Sequence, residues 1–357
     1  MNDYYFIDPQ HLDKTPPDSD YFRQAWAFCR DWANGQTTFV RHSSGSTGKP
    51  KPIELTRNQL IASAKASQEA LGLMKNETAL VCLNVNYIAG TMMLVRGMEI
   101  GLEMIVVEPS SNPLANLPTD VLIDFAAFVP LQLQTMLENG HATQLNRFKT
   151  IIVGGAAVNA TLSAQLQQFS AAVFSTYGMT ETVSHVALRR LNGATQSDFY
   201  ELLPQIEATT DQRNCLRLRG VVTENKWIQT NDVVEFVDKQ HFKLLGRADN
   251  IINSGGVKIQ LEKVEQAIEK IASELGFSNR FFAWHQPHQS LGQQLILVVE
   301  KGGNIPALEN LKTALTKHLT PYEIPKIIIS VEKFIETPTA KIDKGSTFAA
   351  RLLQSSP

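Results

Sequence analysis

The chain has few cysteines, no long apolar run and almost no net charge. Its three cysteines, Cys29, Cys82 and Cys215, stand far apart without CxxC spacing, which argues against a zinc site and suits a reducing compartment. No apolar run approaches the length of a membrane span, and the N-terminus lacks the order of a signal peptide. A net charge of −2 argues against a nucleic-acid surface. We therefore expect a globular cytoplasmic protein without nucleic-acid partners or stable membrane insertion.

Apolar strands alternate with helices between residues 78 and 175. The pattern predicts strands at 78–83, 104–107, 125–129, 150–153 and 172–175, and helices at 88–101, 130–138 and 161–168. Such strands are typical of a largely parallel sheet covered by helices on both faces. Ligands of these sheets bind beyond the carboxyl ends of the strands. The loops at 84–87, 154–157 and 176–181 are therefore the candidate site.

The sequence patterns before and after this region predict other kinds of secondary structure. One amphipathic helix is predicted within 18–33, and residues 1–17 are expected to run over the surface. Short strands at hairpin spacing follow residue 181, and a separate α/β pattern begins near residue 250. The 357 residues are enough for two domains. We predict an α/β fold: a large N-terminal domain (1–247), with a mostly parallel helix-covered sheet and a β-rich subdomain, and a small α+β C-terminal domain (250–357).

The stretch from Ser43 to Lys51 is dense in hydroxyls, glycines and lysines. Glycines let the backbone approach a ligand, and successive N–H groups with hydroxyls and ammonium groups can surround phosphate oxygens. The spacing is not that of a Walker loop, and a flexible Ser/Gly linker is the alternative. A predicted strand at 53–56, followed by a helix that Thr56 caps, favours a ligand loop held between elements of regular structure.

The same stretch resembles the phosphate loop of adenylate-forming enzymes, which include acyl-CoA synthetases, adenylation domains and luciferases. Further segments match that family in its usual order, at 154–157, 177–181, 230–232, 246–249, 253–259 and 338–344. The resemblance implies an AMP-forming ligase that uses ATP and Mg²⁺, with CoA and a carboxylic acid as its other substrates. It also implies a mobile C-terminal domain that rotates about a hinge at Asp249. A homodimer is left open.

The resemblance assigns roles to individual residues. Thr180 would contact the α-phosphate, Glu181 would hold Mg²⁺, and Tyr177 would stack on adenine. The other residues implied in binding the nucleotide or CoA are Ser43, Ser44, Gly45, Ser46, Thr47, Gly48, Lys49, Gly155, Ala156, Asp232, Arg247, Gly255 and Gly256. Without the family, the small-residue loop at 154–157 could equally be a plain tight turn, and an aspartate such as Asp232 is common in turns.

The catalytic lysine implied by the family is Lys341, which precedes Ile-Asp-Lys as the family motif requires. The motif departs at Ala340, where a glycine is usual, so Lys344 is a competing candidate. We expect Ile342 to anchor the segment, with Lys341 facing the cleft and Lys344 nearer solvent at the start of the last helix. The lysine would stabilise charge rather than transfer protons.

The carboxylic acid that the enzyme activates is predicted from residues 84–96. This segment resembles o-succinylbenzoate–CoA ligases of menaquinone synthesis, with Tyr87 and Arg96 at the substrate positions and Ser184 near the aryl ketone. Arg96 is a candidate partner for the second carboxylate of that substrate, and a structural arginine at a helix end is the alternative. An aryl or fatty acyl-CoA ligase remains open. So does a non-enzymatic nucleotide-binding relic, because only about forty residues precede the phosphate loop, although a naturally short enzyme is favoured.

Overall fold

The structure is a computed structural model that describes residues 3–42, 52–272, 274–337 and 342–354. The chain divides into two compact units. The first comprises residues 1–209, 217–228 and 236–243, and the second comprises residues 210–216, 229–235 and 244–357. The domain boundary near 247–250 stays a prediction. The mixed α/β class is confirmed by the alternation of helices and strands.

The first unit contains a large sheet and the helices that connect its strands. Its strands are β1 (Tyr4–Ile7), β2 (Thr38–His42), β3 (Pro52–Thr56), β4 (Thr78–Val81), β5 (Glu103–Val107), β6 (Phe125–Phe128), β7 (Thr150–Val153), β8 (Ala172–Gly178), β9 (His185–Arg190) and β10 (Tyr200–Leu202). Its helices are α1 (Asp20–Ala33), α2 (Arg57–Leu71), α3 (Ile88–Arg96), α4 (Pro130–Glu138), α5 (Ala142–Leu145) and α6 (Ala160–Leu166).

The strand order explains how this unit presents loops at one edge. The sheet runs β1-β5-β4-β6-β7-β8-β9-β10, and the neighbours from β5 to β8 are parallel. Strands β1 and β9 pair antiparallel with β5 and β8. Strands β6 and β7 are buried along their whole length, which accounts for their uninterrupted apolar sequences. The parallel sheet expected from the sequence is therefore confirmed, whereas β1 lies in a segment that was expected to run over the surface.

Strands β2 and β3 form a separate antiparallel hairpin whose last pair is His42 with Pro52. Helix α2 begins directly after it because Thr56 accepts from the Gln59 backbone N–H and the Gln59 side chain reaches back to Thr56. This capping box satisfies backbone groups that the first turn of a helix leaves without partners. The predicted strand and the predicted cap at Thr56 are both confirmed.

The other strands continue the chain. Strands β11 (Glu207–Thr210), β12 (Cys215–Arg219), β13 (Ile228–Phe236) and β14 (His241–Arg247) carry residues of both units. The second unit then contains β15 (Ile251–Ser254), β16 (Val257–Gln260), α7 (Leu261–Ala272), β17 (Phe281–His288), β18 (Gly292–Glu300), α8 (Leu308–Leu315), β19 (Ile327–Val331) and α9 (Lys344–Gln354). Its sheet follows the order β16-β15-β18-β17, with β19 parallel to β18. Among the described residues, no helix is both long and apolar enough to cross a membrane.

Helix α7 carries an acid that makes the stability of this unit depend on pH. Burial, with Glu265 nearby, raises the pKa of Glu269 to about 7. The folded state therefore binds a proton that the unfolded state releases at lower pH, so stability should fall as pH rises from about 4.5 to about 7. We expect Glu269→Gln to flatten that fall in melting temperatures measured between pH 4.5 and 8. An unchanged slope would contradict the assignment to Glu269.

Candidate active site

The carboxyl ends of the parallel strands bring the predicted loops to one edge of the first unit's sheet. The loop that starts at Asn84 follows β4, Gly154 follows β7, and Thr180 follows β8. Because β4, β6, β7 and β8 are parallel neighbours, these loops share an edge, as the sequence predicted. Helix α1 braces the first loop, since the Tyr21 hydroxyl donates to the Leu83 carbonyl (3.2 Å) and accepts from the Val85 N–H (3.3 Å).

Two of the predicted groups lie outside the described residues. They are the phosphate-loop residues, Ser43, Ser44, Gly45, Ser46, Thr47, Gly48 and Lys49, and the proposed catalytic residue Lys341. Their roles stay predictions.

The turn after β8 presents Glu181 outward. The turn spans Thr180–Thr182, and the buried Thr182 hydroxyl braces it by contacts with the backbone of Met179 and with the Ser184 carbonyl (2.9 Å). The Glu181 side chain is exposed and makes no hydrogen bond or ion pair within the part of the chain that the structure describes. Thr180, in contrast, is 8% exposed.

This carboxylate fits the implied metal. The described residues hold no cluster of three potential metal ligands, and Glu181 is the carboxylate that the family resemblance assigns to the metal. Mg²⁺ commonly binds through one or two carboxylates together with substrate phosphates and water. A single outward carboxylate beside the sheet edge is compatible with that arrangement. The metal role of Glu181 stays a prediction.

The next turn, at Val183, has a strained backbone and precedes Ser184, whose hydroxyl lies beside Arg96. Val183 has φ 67° and ψ −56°, and the Ser184 N–H donates to the Thr182 carbonyl at 2.7 Å. This is a γ-turn with a positive φ, which a β-branched residue rarely adopts. Strain of this kind is retained where surrounding structure enforces it, commonly at functional sites. Gly178 allows the close packing, because a Cβ there would lie 2.2 Å from the Ser184 carbonyl oxygen.

Arg96 is buried without a carboxylate partner among the described residues. Its side chain is at the end of α3 and is 1% exposed. One terminal nitrogen, Nη2, donates to the Ser184 hydroxyl (2.9 Å) and lies 3.4 Å from His185 Nδ1. Among the described residues, the other terminal nitrogen, Nη1, contacts only the Met93 sulfur (3.8 Å), and Nε has no hydrogen-bond partner. Burial lowers the pKa of the Arg96 guanidinium to about 10, so the group remains charged at neutral pH.

The backbone around Arg96 is held tightly. Helix α3 widens into a π-helical turn at Gly97–Gly101 directly after it, where the sequence predicted a continuous helix. A Cβ at Gly97 would lie 2.1 Å from the Met104 sulfur, so the helix packs closely on β5. At the other end, Gly90 has no room for a Cβ beside the Asn84 carbonyl oxygen. Such π turns often occur at functional sites.

His185 and Ser67 complete the polar cluster around Arg96, and the sequence pattern did not indicate either. Ser67 belongs to α2, and its hydroxyl lies 3.1 Å from His185 Nε2. Both side chains are buried. Burial, and then the nearby charge of Arg96, lower the pKa of His185 well below its ordinary value, so the imidazole is neutral. Only the dipeptide Ser184-His185 after the Y-G-x-T-E motif could have drawn attention to this residue.

Two predicted aromatic residues lie beside these loops. Tyr177 is 8% exposed and meets the rings of Tyr200 and Phe242 edge to face, at centroid distances of 5.9 and 5.5 Å. Tyr87 is partly buried at the start of α3, where its N–H donates to the Asn84 carbonyl. The exposed Gly155 has φ 84°, and Ala156 beside it is also exposed. Contacts of these residues with adenine or acid stay predictions.

The second unit brings Arg247, Asp232 and Asp249 together. Arg247 makes two hydrogen bonds to the Asp249 carboxylate, of 2.8 and 2.6 Å, and one of 3.2 Å to Asp232. The Arg247 guanidinium lowers the pKa of Asp249. Gly255 and Gly256, with φ of 60° and 84°, form the two-residue turn that joins β15 and β16. The ribose contacts, the hinge and the CoA contacts proposed for these residues stay predictions.

The structure corrects the expectation for Lys344. Helix α9 begins at Lys344 as expected, but the side chain is only 24% exposed. Its Nζ lies 2.7 Å from the Glu265 carboxylate and 5.8 Å from the centre of the Phe282 ring. Lys344 therefore belongs to a partly buried ion pair rather than to a solvent-facing position. Ile342 packs against the apolar cluster around Phe282, which confirms it as an anchor.

The family described as AMP-binding enzyme matches residues 8–206, more than half of the chain. The chain belongs to the AMP-binding enzyme family. A solved structure from Dyadobacter fermentans, described as an acyl-CoA synthetase (AMP-forming)/AMP-acid ligase II-like protein, is 45% identical with a TM-score of 0.67. The alignment covers 97% of this chain and 99% of that one.

Two further relatives carry more specific names. The 2-succinylbenzoate–CoA ligase of Lactococcus lactis is 24% identical over 93% of this chain and 76% of its own length. The O-succinylbenzoate coenzyme A synthetase of Bacillus subtilis, solved in complex with ATP and magnesium ion, has a TM-score of 0.72 at 19% identity. That alignment covers 87% of this chain and 69% of the other. Family membership and the ligase relatives place the chain among ATP-dependent, AMP-forming acid–CoA ligases.

Proposed function

We propose that the acid activated by this ligase is a dicarboxylate, namely o-succinylbenzoate, in a step of menaquinone synthesis in the cytoplasm. One carboxylate of that substrate would be converted to the acyl-adenylate with release of pyrophosphate, and CoA would then displace AMP. The observation that carries the proposal is the buried Arg96, which has no carboxylate partner among the described residues. The names of the relatives support the same substrate.

A buried guanidinium without an anion is costly. Removing a cation from water has a penalty of several kcal/mol, which is normally offset by a partner of opposite charge. Within the described part of the chain, Arg96 instead contacts a hydroxyl, a neutral imidazole and a thioether, and its Nε makes no hydrogen bond. A substrate carboxylate could supply the missing charge, either directly or through Ser184, which is only partly buried. Charge-assisted bonds from arginine to carboxylate are among the stronger hydrogen bonds.

The other groups proposed at the site are assigned to the nucleotide. Glu181 would hold Mg²⁺, whose chemistry is to neutralise charge on the ATP phosphates. Thr180 and the loop at 43–49 would orient the α-phosphate, and Lys341 would offset charge that develops during attack by the carboxylate. Both half-reactions then depend on positioning and on charge neutralisation.

We expect Arg96→Met to raise the KM for o-succinylbenzoate about ten- to a hundredfold, the range for a lost hydrogen bond to a charged group. The KM for ATP should stay within about twofold. The measurement is acid-dependent pyrophosphate release at varied acid and at varied ATP. Because the arginine is buried and contacts no carboxylate of the described residues, its replacement by an apolar side chain should not lower the melting temperature.

Two acids that each lack one carboxylate provide the control. They are 4-oxo-4-phenylbutanoate and 2-butanoylbenzoate, and the one that retains the activated carboxylate should be a poor substrate of the wild type. Arg96→Met should leave its KM unchanged, because the partner of Arg96 is then absent. Equal rises for diacid, mono-acid and ATP, or a large fall in melting temperature, would make Arg96 a structural arginine. Turnover of benzoates or fatty acids instead would select the alternative specificities.

A further inference from the structure

We propose that His185 and Ser67 are positioning residues of the acid site. Ser67 holds the neutral imidazole of His185 against Arg96, and the imidazole in turn orients the Arg96 guanidinium toward a carboxylate. The inference rests on the proposed function, because it concerns the same arginine. The hydrogen bonds that link Ser67, His185 and Arg96, called the relay below, fix which nitrogen of His185 carries the proton. Neither Ser67 nor His185 belongs to a motif that could be recognised in the sequence.

The direction of the relay follows from the number of protons available. The Ser67 hydroxyl donates to the Ser63 carbonyl at 2.8 Å, which uses its only hydrogen. At 3.1 Å from His185 Nε2, Ser67 must therefore accept, so Nε2 carries the proton. Nδ1 is left with its lone pair and faces two donors, Arg96 Nη2 and the Ser184 hydroxyl, each at 3.4 Å. The tautomer is thus assigned from the hydrogen-bond network.

The electrostatic surroundings favour this neutral form. His185 and Ser67 are 6% and 0% exposed, and the Arg96 guanidinium is the only ionised group of the described residues in contact with the ring. An imidazolium would place a second positive charge beside Arg96 in a buried environment, and the described residues bring no carboxylate into hydrogen-bond contact with either group. A neutral ring with the opposite tautomer would point an N–H at the donors of Arg96. Only the Nε2–H form therefore supplies an acceptor for the arginine.

The relay links three elements of the first unit. Ser67 lies on α2, Arg96 ends α3, and His185 begins β9 directly after the strained turn that directs Ser184. Loss of the Ser67 hydroxyl would leave the imidazole free to exchange tautomers. The guanidinium would then lose the Nδ1 acceptor of His185 and would spend less time in the orientation that Ser184 and a carboxylate share. The expected consequence is weaker use of the diacid, with ATP unaffected.

Helix α2 offers a matched pair of substitutions. Ser63 lies one turn before Ser67 and is equally buried, but its hydroxyl has no hydrogen-bond partner among the residues that the structure describes. We expect Ser67→Ala to raise the KM for o-succinylbenzoate about five- to tenfold, as for one lost hydrogen bond, with the KM for ATP within twofold. Ser63→Ala should change neither KM. Equal effects of the two variants on the diacid, or equal effects on diacid and ATP, would overturn the proposal.

A second pair of variants separates the two nitrogens of His185. In His185→Asn the side-chain oxygen can replace Nδ1 as an acceptor for Arg96, whereas in His185→Gln the amide reaches toward Ser67 and leaves the Nδ1 position vacant. The asparagine variant should keep the KM for the diacid within about threefold of the wild type, and the glutamine variant should raise it about tenfold. The reverse order would show that the contact with Arg96 does not matter.

The ¹⁵N chemical shifts of the His185 ring test the relay without any turnover. The wild-type protein should show a neutral ring protonated at Nε2, and Ser67→Ala should show mixed tautomers. A ring protonated at Nδ1 in the wild type would refute the relay. If the shifts are as expected but o-succinylbenzoate is not a substrate, the proposed acid is wrong, whereas the assignment of the His185 tautomer by the relay is correct. The two failures are therefore distinguishable.

Discussion

Glu181→Gln should reduce formation of the acyl-adenylate about 10²- to 10³-fold, the range found when one positioned electrostatic group is removed from an active site. The substitution keeps the shape of the side chain and removes the charge that would hold Mg²⁺. The fold should be unaffected, because Glu181 is exposed and has no partner among the described residues. The measurement is acid-dependent pyrophosphate release at saturating ATP, repeated over a range of Mg²⁺ concentrations, where the half-saturating concentration should rise.

Glu201→Gln is the matched control, because the Glu201 side chain is also exposed and makes no hydrogen bond or ion pair within the described part of the chain. It should retain normal adenylation and a normal Mg²⁺ requirement. Near-normal adenylation by Glu181→Gln would remove the metal assignment. A lower melting temperature of Glu181→Gln would instead indicate that the turn at Thr180–Thr182 depends on the charge.

Local sequence patterns predicted the features that depend on local physics. Uninterrupted apolar strands indicated the parallel sheet, and the sheet in turn placed three loops at one edge. The cap at Thr56 and the amphipathic helix α1 follow from side chains within a few residues of each other. The family motifs then located Glu181 and Arg96 on or near those loops.

Features that depend on residues far apart in the chain could not be predicted from the sequence. Strand β1 has four residues and exists because Tyr4 to Ile7 pair with β5, a hundred residues away. The γ-turn at Val183 contradicts the preference of a valine and is imposed by the packing around it. His185 and Ser67 are 118 positions apart, so their hydrogen bond has no local signature. The burial of Arg96, which turns a helix-end arginine into a candidate anion site, is likewise a tertiary property.

The choice between Lys341 and Lys344 is sharpened by the ion pair in the second unit. Glu265 accepts from the Ala283 N–H (2.8 Å) and from Lys344 Nζ (2.7 Å). Burial nevertheless raises the pKa of Glu265. Lys344→Ala alone would leave this carboxylate without its cation, and removal of one partner of an ion pair that is largely shielded from water is destabilising. That single variant would therefore confound catalysis with stability.

The double variant Lys344→Met/Glu265→Gln removes both charges together and is the fair control for Lys341→Ala. We expect Lys341→Ala to cut acyl-adenylate formation from acid and ATP about 10²- to 10³-fold, because a cation at the α-phosphate matters as charge builds in that step. It should spare conversion of preformed acyl-adenylate and CoA to the thioester, since a rotated C-terminal domain would carry the lysine away.

The double variant should retain both half-reactions within a few-fold, because Lys344 is already held by Glu265 in the same unit and is not available to a phosphate. Melting temperatures of all variants show whether a lost rate reflects lost fold. If the double variant shows the selective adenylation defect at unchanged melting temperature, the catalytic lysine is Lys344. The departure from the motif at Ala340 would then mark a displacement of the lysine by three residues rather than a tolerated substitution.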